Sequence, residues 1–132
     1  MDWTLNFRDD GILDLKCSGS YSNNDLLLMI EQTILDPRWE TGMNILLDFR
    51  DIIFKDIHYN DIIITRDIHV QFNEFIGTGK IATIHSNDFG YEIGRLYEEL
   101  AEGSASSKIS IFKDYDLGIR WLCGDYSYLK FS

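Results

Sequence analysis

The side chains best suited to chemistry follow two apolar runs that read as buried strands. Asp48 and Asp51 come after the run at 45–47, and His85 comes after the run at 81–84. In a parallel α/β sheet these positions lie at one edge, beyond the carboxyl ends of the strands, where ligands commonly bind. Two carboxylates and an imidazole there could hold a metal or transfer protons, which gives the hypothesis of a hydrolase. The simpler interpretation is that Asp48 braces a loop through ion pairs, and we favour it because no nucleophile–base pair accompanies these residues.

Two other patterns suggest chemistry and are better explained by structure. The sequence Gly-Thr-Gly-Lys at 77–80 resembles a phosphate-binding loop, but such a loop follows a strand and opens a helix, and here the order is reversed. His58, His69 and His85 lack the spacing of a zinc site. We expect His69 on the outer face of its helix and His85 as a hydrogen-bonded residue at a strand end. The sequence therefore predicts no catalytic residue, no metal and no cofactor.

The overall composition excludes several classes of partner. The chain has 132 residues, 12 of them basic and 22 acidic, for a net charge of −10. Because nucleic-acid binding depends on Lys and Arg neutralising phosphates, DNA, RNA and anionic membranes are poor partners. The sequence shows no signal peptide, no apolar run long enough for a membrane span, and only two cysteines, Cys17 and Cys123. These features predict a cytoplasmic protein, and a bacterial one.

The elements that would position these residues follow from periodicity. Apolar residues alternate with polar ones over 3–7 and 13–17, with Asp-Asp-Gly between, which predicts a β-hairpin. The runs at 45–47 and 81–84 predict the two most buried strands, and 109–111 predicts a last one. The predicted fold is α/β: a single five-stranded mixed sheet, made of the N-terminal hairpin and four strand–helix units, in one domain spanning residues 1–132.

Four helices are expected between and after these strands. Ser22 caps the first, which ends at Asp36-Pro37 because proline disfavours helical geometry in the residue before it. Asn87 or Asp88 caps the third, and Asp114 caps the last. The second is expected to start near Asn60, which can cap it, with this inner face: Ile64, Ile68, Phe72 and Phe75. The third is expected to bury this stripe: Phe89, Ile93, Leu96, Tyr97 and Leu100.

Short motifs spread over most of the chain resemble the SpoIIAA-like, or STAS-like, bacterial domains. They are Asp-Pro-Arg-Trp at 36–39, Leu-Leu-Asp-Phe-Arg at 46–50, Lys-Ile-Ala at 80–82, Phe112, and Ile-Arg-Trp-Leu at 119–122. Gly118 stands where these proteins often carry alanine. The resemblance implies a mixed sheet of about five strands with the first antiparallel, in agreement with the fold expected from periodicity.

The best-understood relatives are anti-sigma-factor antagonists that switch on phosphorylation of a serine in an Asp-Ser-Ser-Gly-like turn. The corresponding stretch here is Phe-Lys-Asp-Ile-His-Tyr at 54–59. Asp56 matches the motif, but no serine, threonine or glycine follows it. The resemblance therefore implies a regulatory domain without this switch.

Three functions remain open. The first is a non-enzymatic domain that docks a protein, which could be a second copy of itself, through this edge: Arg50, Asp51, Phe54, Asp56, His58 and Tyr59. The run at 52–54 is either an exposed patch in that edge or part of the core. The second is a carrier of a small apolar ligand or lipid between the sheet and the second helix. The third is the hydrolase that would use Asp48, Asp51 and His85.

Overall fold

The computed structural model describes residues 1–126. Its elements follow the predicted order of strands and helices, with one additional short helix. They are β1 (Asp2–Phe7), β2 (Leu13–Ser20), α1 (Asn23–Leu35), β3 (Ile45–Ile53), α2 (Tyr59–Gln71), α3 (Asn73–Ile76), β4 (Lys80–Ile84), α4 (Asp88–Ala101), β5 (Lys108–Phe112) and α5 (Tyr115–Leu122).

The five strands form one mixed sheet in the order β1-β2-β3-β4-β5. β1 pairs antiparallel with β2, and each later strand pairs parallel with the one before it. The α/β class, the mixed five-stranded sheet and the interior position of the two apolar strands, β3 and β4, are therefore confirmed.

The two faces of the sheet are covered unequally. One face packs against α1, α2 and α3, with β2 residues such as Leu13 and Leu15 against Leu26 and Met29 of α1, and α4 covers the same face near β5. Within residues 1–126 the other face is covered by α5, whose Trp121 and Leu122 contact β3 and β4. We call these the α1–α4 face and the α5 face. Because side chains alternate along a strand, Leu46 belongs to the α5 face and its neighbour Leu47 to the α1–α4 face.

The predicted inner face of α2 is correct for Ile68 and Phe72, which pack against the core, and wrong for Ile64 and Phe75. Ile64 and Phe75 are 39% and 51% exposed, whereas Ile62 and His69 are buried. The helical ladder is interrupted at Phe72, so 59–76 forms two helices with no single apolar stripe. The placement of His69 on an outer face is also wrong, because its Nδ1 is hydrogen-bonded to the Tyr97 hydroxyl of α4.

The buried stripe of α4 also differs from the prediction. Phe89 is 58% exposed, and the buried positions are instead Gly90, Gly94 and Ala101. A Cβ on Gly94 would lie 2.8 Å from His85 Nε2, and one on Gly90 would lie 3.2 Å from His85 Nδ1. The two glycines let α4 approach the imidazole of His85 more closely than any larger residue would.

Three of the predicted helix caps are confirmed, and the fourth is wrong, because α2 begins at Tyr59 with His58 rather than Asn60 at its N-cap. The side chains of Ser22, Asn87 and Asp114 accept hydrogen bonds from backbone N–H groups in the first turns of α1, α4 and α5, at 3.3, 2.8 and 3.1 Å. Each bond satisfies one of the N–H groups that a helix leaves free at its start. α1 ends at the predicted place, since Asp36 is its extended C-terminal cap.

Candidate functional site

A cavity of about 110 Å³ lies between the α1–α4 face of the sheet and its helices. Leu47 and Phe49 of β3 form its floor, and Met29 of α1, Ile62 of α2 and Ile93 of α4 contribute to its walls. Its lining is almost entirely apolar. Ligand pockets are typically apolar and of ~300–1,000 Å³, so this cavity has their apolar character at a smaller size.

The central strand shows the effect of the cavity on packing. Leu47 and Phe49 are only half-buried although β3 is the middle strand, whereas Leu46 and Asp48, on the opposite face, are buried. A residue in the middle of a sheet is normally surrounded by packed side chains. Leu47 and Phe49 instead border the cavity on one side.

Three polar side chains line this apolar space, each buried and each with an unpaired atom. Thr83 of β4 is 4% exposed, His85 directly after β4 is 3% exposed, and His69 of α2 is 5% exposed. Thr83 Oγ1, both ring nitrogens of His85 and His69 Nε2 have no hydrogen-bond partner within residues 1–126. Native proteins leave few buried polar atoms without a partner, so this concentration around one cavity is unusual.

The expectation that the side chain of His85 is hydrogen-bonded is therefore wrong. Its backbone N–H donates to the Phe112 carbonyl at 2.9 Å, but its ring is packed among aromatic rings. The centroids of Phe49 and Phe54 lie 5.9 and 6.1 Å from it. Burial lowers the pKa of His85 and of His69 to about 4, so both rings are neutral at pH 7.

The carboxylate that the hydrolase hypothesis uses is engaged elsewhere. Asp48 accepts two hydrogen bonds from the Arg50 guanidinium, from Nε and Nη2, each at 2.8 Å. Lys16 lies 3.8 Å from the same carboxylate. Burial alone would raise the pKa of Asp48, but its hydrogen bonds with Arg50 bring the pKa below its usual value. The side chain is a charged brace, as the simpler interpretation expects.

The convergence that the hydrolase hypothesis requires is absent. Asp48 pairs in register with Ile84, so it lies on the α5 face, whereas His85, one residue beyond Ile84, lies on the α1–α4 face. Asp51 is exposed at the sheet edge, 3.5 Å from Lys16. The sheet thus separates Asp48 from His85.

The predicted interaction edge spans the last part of β3, which contains Arg50 and Asp51, and the turn before α2. Arg50 stacks over the Tyr115 ring at 5.2 Å, and its carbonyl accepts from the Ser86 hydroxyl at 2.7 Å. The run at 52–54 divides: Ile52 is 5% exposed and Ile53 is 57% exposed. Phe54 turns inward, packs on Tyr21 with ring centroids 5.5 Å apart and lines the cavity.

The rest of that edge forms the turn before α2. Asp56, His58 and Tyr59 are all exposed. Asp56 has φ of 55°, a left-handed conformation that aspartate tolerates better than most residues. Asp61 of α2 accepts a hydrogen bond from the His58 backbone N–H at 2.9 Å and so holds the end of the turn. The turn at 54–59 is therefore a surface feature, from which only Phe54 turns inward.

Sequence reasoning missed Thr83, His69 and Tyr97 as residues of the site. The available signal was weak but present: Thr83 interrupts an otherwise apolar strand, and Tyr97 sits on the apolar stripe of α4. Of the predicted chemical residues, His85 alone lines the cavity, together with Phe54 from the predicted edge.

The fold is SpoIIAA-like. Among solved structures, the chain is similar to an uncharacterized protein of the DUF3478 family with a SpoIIAA-like fold from Shewanella loihica PV-4. The two are 12% identical, the match covers 92% of this chain and 93% of the other, and the TM-score is 0.60. The resemblance drawn from the short motifs is thereby confirmed at the level of the fold. No family model matches the chain. The comparison with curated proteins finds no match either.

Two further observations limit the kinds of site present in residues 1–126. No three metal-ligating side chains of that part of the chain come together as an ion would require. None of its helices combines the length and the apolar character that crossing a bilayer takes.

Proposed function

We propose that this domain binds a small apolar ligand in the cavity between the sheet and helices α1, α2 and α4, and that it acts by binding alone, without catalysing a reaction. The observation that carries the proposal is the cavity itself, about 110 Å³ with almost wholly apolar walls in the middle of the domain. The engagement of Asp48 by Arg50 and its separation from His85 support a non-enzymatic role.

The cavity can be tested by filling it. We expect benzene at millimolar concentration to raise the Tm of the wild-type chain, because a ligand that binds only the folded state stabilises it. Leu47→Phe and Ile93→Phe place a ring in the cavity and should each abolish the shift. The matched control is Leu28→Phe, at a residue of α1 that is 50% exposed, which should keep it.

The outcomes separate cleanly. A wild-type Tm that does not respond to benzene, or a response equally strong in folded Leu47→Phe and Ile93→Phe, would contradict ligand binding in this cavity. Circular dichroism of each variant establishes that it is folded before its response is compared.

A second candidate is docking of a second copy at the predicted edge. It is favoured by three large apolar side chains that remain exposed near the carboxyl ends of the parallel strands: Ile53, Tyr59 and Phe89, at 57%, 56% and 58%. The surrounding charges are of both signs, with Arg50 and Lys55 beside Asp51 and Asp56, as a self-complementary two-fold interface requires.

Light scattering coupled to size-exclusion chromatography tests this candidate. A dimer at micromolar concentration that becomes monomeric in Ile53→Asp, and stays dimeric in the control Leu35→Asp, would support it. Leu35 is 80% exposed on α1, away from this edge. A chain that is monomeric throughout would refute it.

We also propose the cytoplasm of a bacterium as the setting of this protein. Both cysteines are free thiols, Cys17 buried and Cys123 exposed. Exposed free thiols are typical of reducing compartments.

A further inference from the structure

The unpaired polar atoms around the cavity indicate what kind of ligand would fit it. Leaving a buried polar group without a partner costs free energy. Of the five such atoms within residues 1–126, four belong to side chains that line the cavity, and the fifth is Asp14 Oδ1. Thr83 Oγ1 and His69 Nε2 both belong to side chains that line the cavity, and neither has a partner within residues 1–126. A ligand with a hydrogen-bonding group could pair with these two atoms.

A hydroxyl is the ligand group best suited to bond with these two protein atoms. The threonine hydroxyl both donates and accepts. The role of His69 Nε2 depends on the bond at the other nitrogen, Nδ1, which is joined to the Tyr97 hydroxyl. Nε2 donates if that hydroxyl donates to Nδ1, and accepts if the hydroxyl accepts. A ligand hydroxyl can meet either arrangement, which a carbonyl or an amine cannot do equally well.

The size of the cavity limits the ligand to about one ring. An engineered apolar cavity of about 150 Å³ in another protein binds benzene. At about 110 Å³ the present cavity is somewhat smaller, so a single ring fits with slight expansion of its walls. A long acyl chain does not fit, which argues against the lipid alternative.

The charges around the cavity favour a neutral ligand. The two histidines that line it are uncharged at pH 7, because burial lowers their pKa values to about 4. Asp61, at the start of α2, is the one lining residue among 1–126 that bears a formal charge, and that charge is negative. A carboxylate ligand would enter an apolar space without a cation to meet it.

We propose that the cavity takes an uncharged molecule about the size of one ring that carries a hydroxyl group, with phenol as its model, and that the Thr83 hydroxyl supplies a hydrogen bond to it. This inference rests on the proposed function, since it names the ligand class of the same cavity. Thr83 acts as the specificity-determining residue, and the apolar walls hold the ring.

Calorimetric titrations of the full chain with benzene, phenol and benzoate at pH 7.5 test the inference. We expect phenol to bind at least as tightly as benzene, and benzoate to bind at least tenfold more weakly than phenol. Thr83→Val, which keeps the shape and removes the hydroxyl, should weaken phenol by about five- to tenfold and leave benzene unchanged. Thr83→Ser should keep phenol binding, and Thr4→Val on the exposed side of β1 is the matched control.

Each result decides something. Benzene binding without phenol binding, or a Thr83→Val chain that binds phenol as tightly as wild type, would overturn this inference and leave the proposed function standing. Benzoate binding tighter than phenol would overturn the neutral ligand class. If none of the three binds, the proposed function fails together with the inference.

Discussion

The two faces of the sheet solve the same packing problem in opposite ways. On the α5 face one short helix covers Leu46, Ala82 and Ile84, which are all fully buried. On the α1–α4 face four helices cover the sheet, and yet Leu47 and Phe49 remain half-buried beside a cavity. More covering structure has produced looser packing.

The two faces also differ in how well their buried polar groups are paired. The charged group under the α5 face, Asp48, is fully engaged by Arg50 and Lys16. On the α1–α4 face, Thr83 and His85 leave three buried atoms unpaired within the described residues, whereas Asp14 Oδ1 is the one such atom on the α5 face. Close packing with satisfied polar groups stabilises a fold, whereas loose packing with unsatisfied ones costs stability and is usual at functional sites. We therefore expect the α5 face to contribute more to stability, and the proposed ligand to bind on the α1–α4 face.

The largest expected effect is the difference in stability between substitutions at two adjacent leucines of β3. Leu46→Ala should lower the free energy of unfolding by about 3 kcal/mol, since it empties a closely packed position. Leu47→Ala should cost only about 1–2 kcal/mol, because Leu47 already borders empty space and loses fewer contacts. Urea unfolding of both variants measures the difference, and equal losses would contradict the contrast between the faces.

The next effect is a pH dependence that belongs to the α1–α4 face. His69 and His85 have pKa values of about 4 in the folded chain, against 6.5 when exposed. The unfolded chain therefore binds more protons between pH 6.5 and pH 4, so stability is complete above pH 7 and falls across that window. At pH 5 each histidine should cost about 2 kcal/mol relative to pH 7.

The measurement is the difference between wild type and His85→Gln in chemical unfolding from pH 7.5 to pH 5. Burial raises the pKa of Glu98, which acts in the opposite sense and cancels in that difference. The variant should lose about half of the wild-type decline. Parallel curves for the two chains would show that His85 does not titrate on unfolding as its burial requires.

A smaller difference in stability is expected between alanine substitutions at two helix glycines. A Cβ on Gly118 of α5 would lie 2.6 Å from Ile84 Cδ1, a side chain with no exposed surface. Gly118→Ala should cost about 1–2 kcal/mol from overpacking, despite the better helix propensity of alanine. In Gly94→Ala the new Cβ would lie 2.8 Å from His85 Nε2. Because His85 borders the cavity and can shift, the loss of stability should be smaller than for Gly118→Ala.

The double variant Gly118→Ala/Ile84→Val is the control for this mechanism, because valine lacks the atom that clashes. Thermal unfolding should find the alanine tolerated in the Ile84→Val background. An undiminished penalty there would assign the effect to something other than Ile84 Cδ1.

The smallest effect has the opposite sign. Thr83→Val should leave stability unchanged or raise it by up to about 1 kcal/mol, since it replaces an unpaired buried hydroxyl with a methyl group of the same shape. Guanidinium unfolding without ligand measures it. A loss above about 1 kcal/mol would show that the hydroxyl is satisfied in solution.

The sequence predicted the parts of this fold that depend on local chemistry. The alternation in 3–7 and 13–17 produced the hairpin, and Ser22, Asn87 and Asp114 cap their helices as expected. The rotation of α2 could not be predicted locally, because His69 is buried only through a partner 28 residues away, Tyr97. A polar residue looks like a surface residue until its partner is known.

The cavity could not be predicted from the sequence, for a related reason. The cavity is a space that several secondary-structure elements together leave unfilled. No local stretch of the sequence therefore predicts it. The small residue of α4 in its wall, Gly94, reads in the sequence as a neutral interruption of an apolar stripe. The ligand-carrier hypothesis places its ligand between the sheet and the second helix, and Ile62 of that helix lines the cavity.

The order of the strands bears on how the chain is made. Because β1 to β5 lie side by side in the order in which they occur in the sequence, each strand leaving the ribosome meets an edge that has already been built. No strand has to be inserted between two earlier ones, which keeps pairing partners near in sequence. α5 is synthesised after all five strands, so Leu46 and Ala82 stay uncovered until then. The interval between the synthesis of β5 and that of α5 is when these strands most need protection from aggregation.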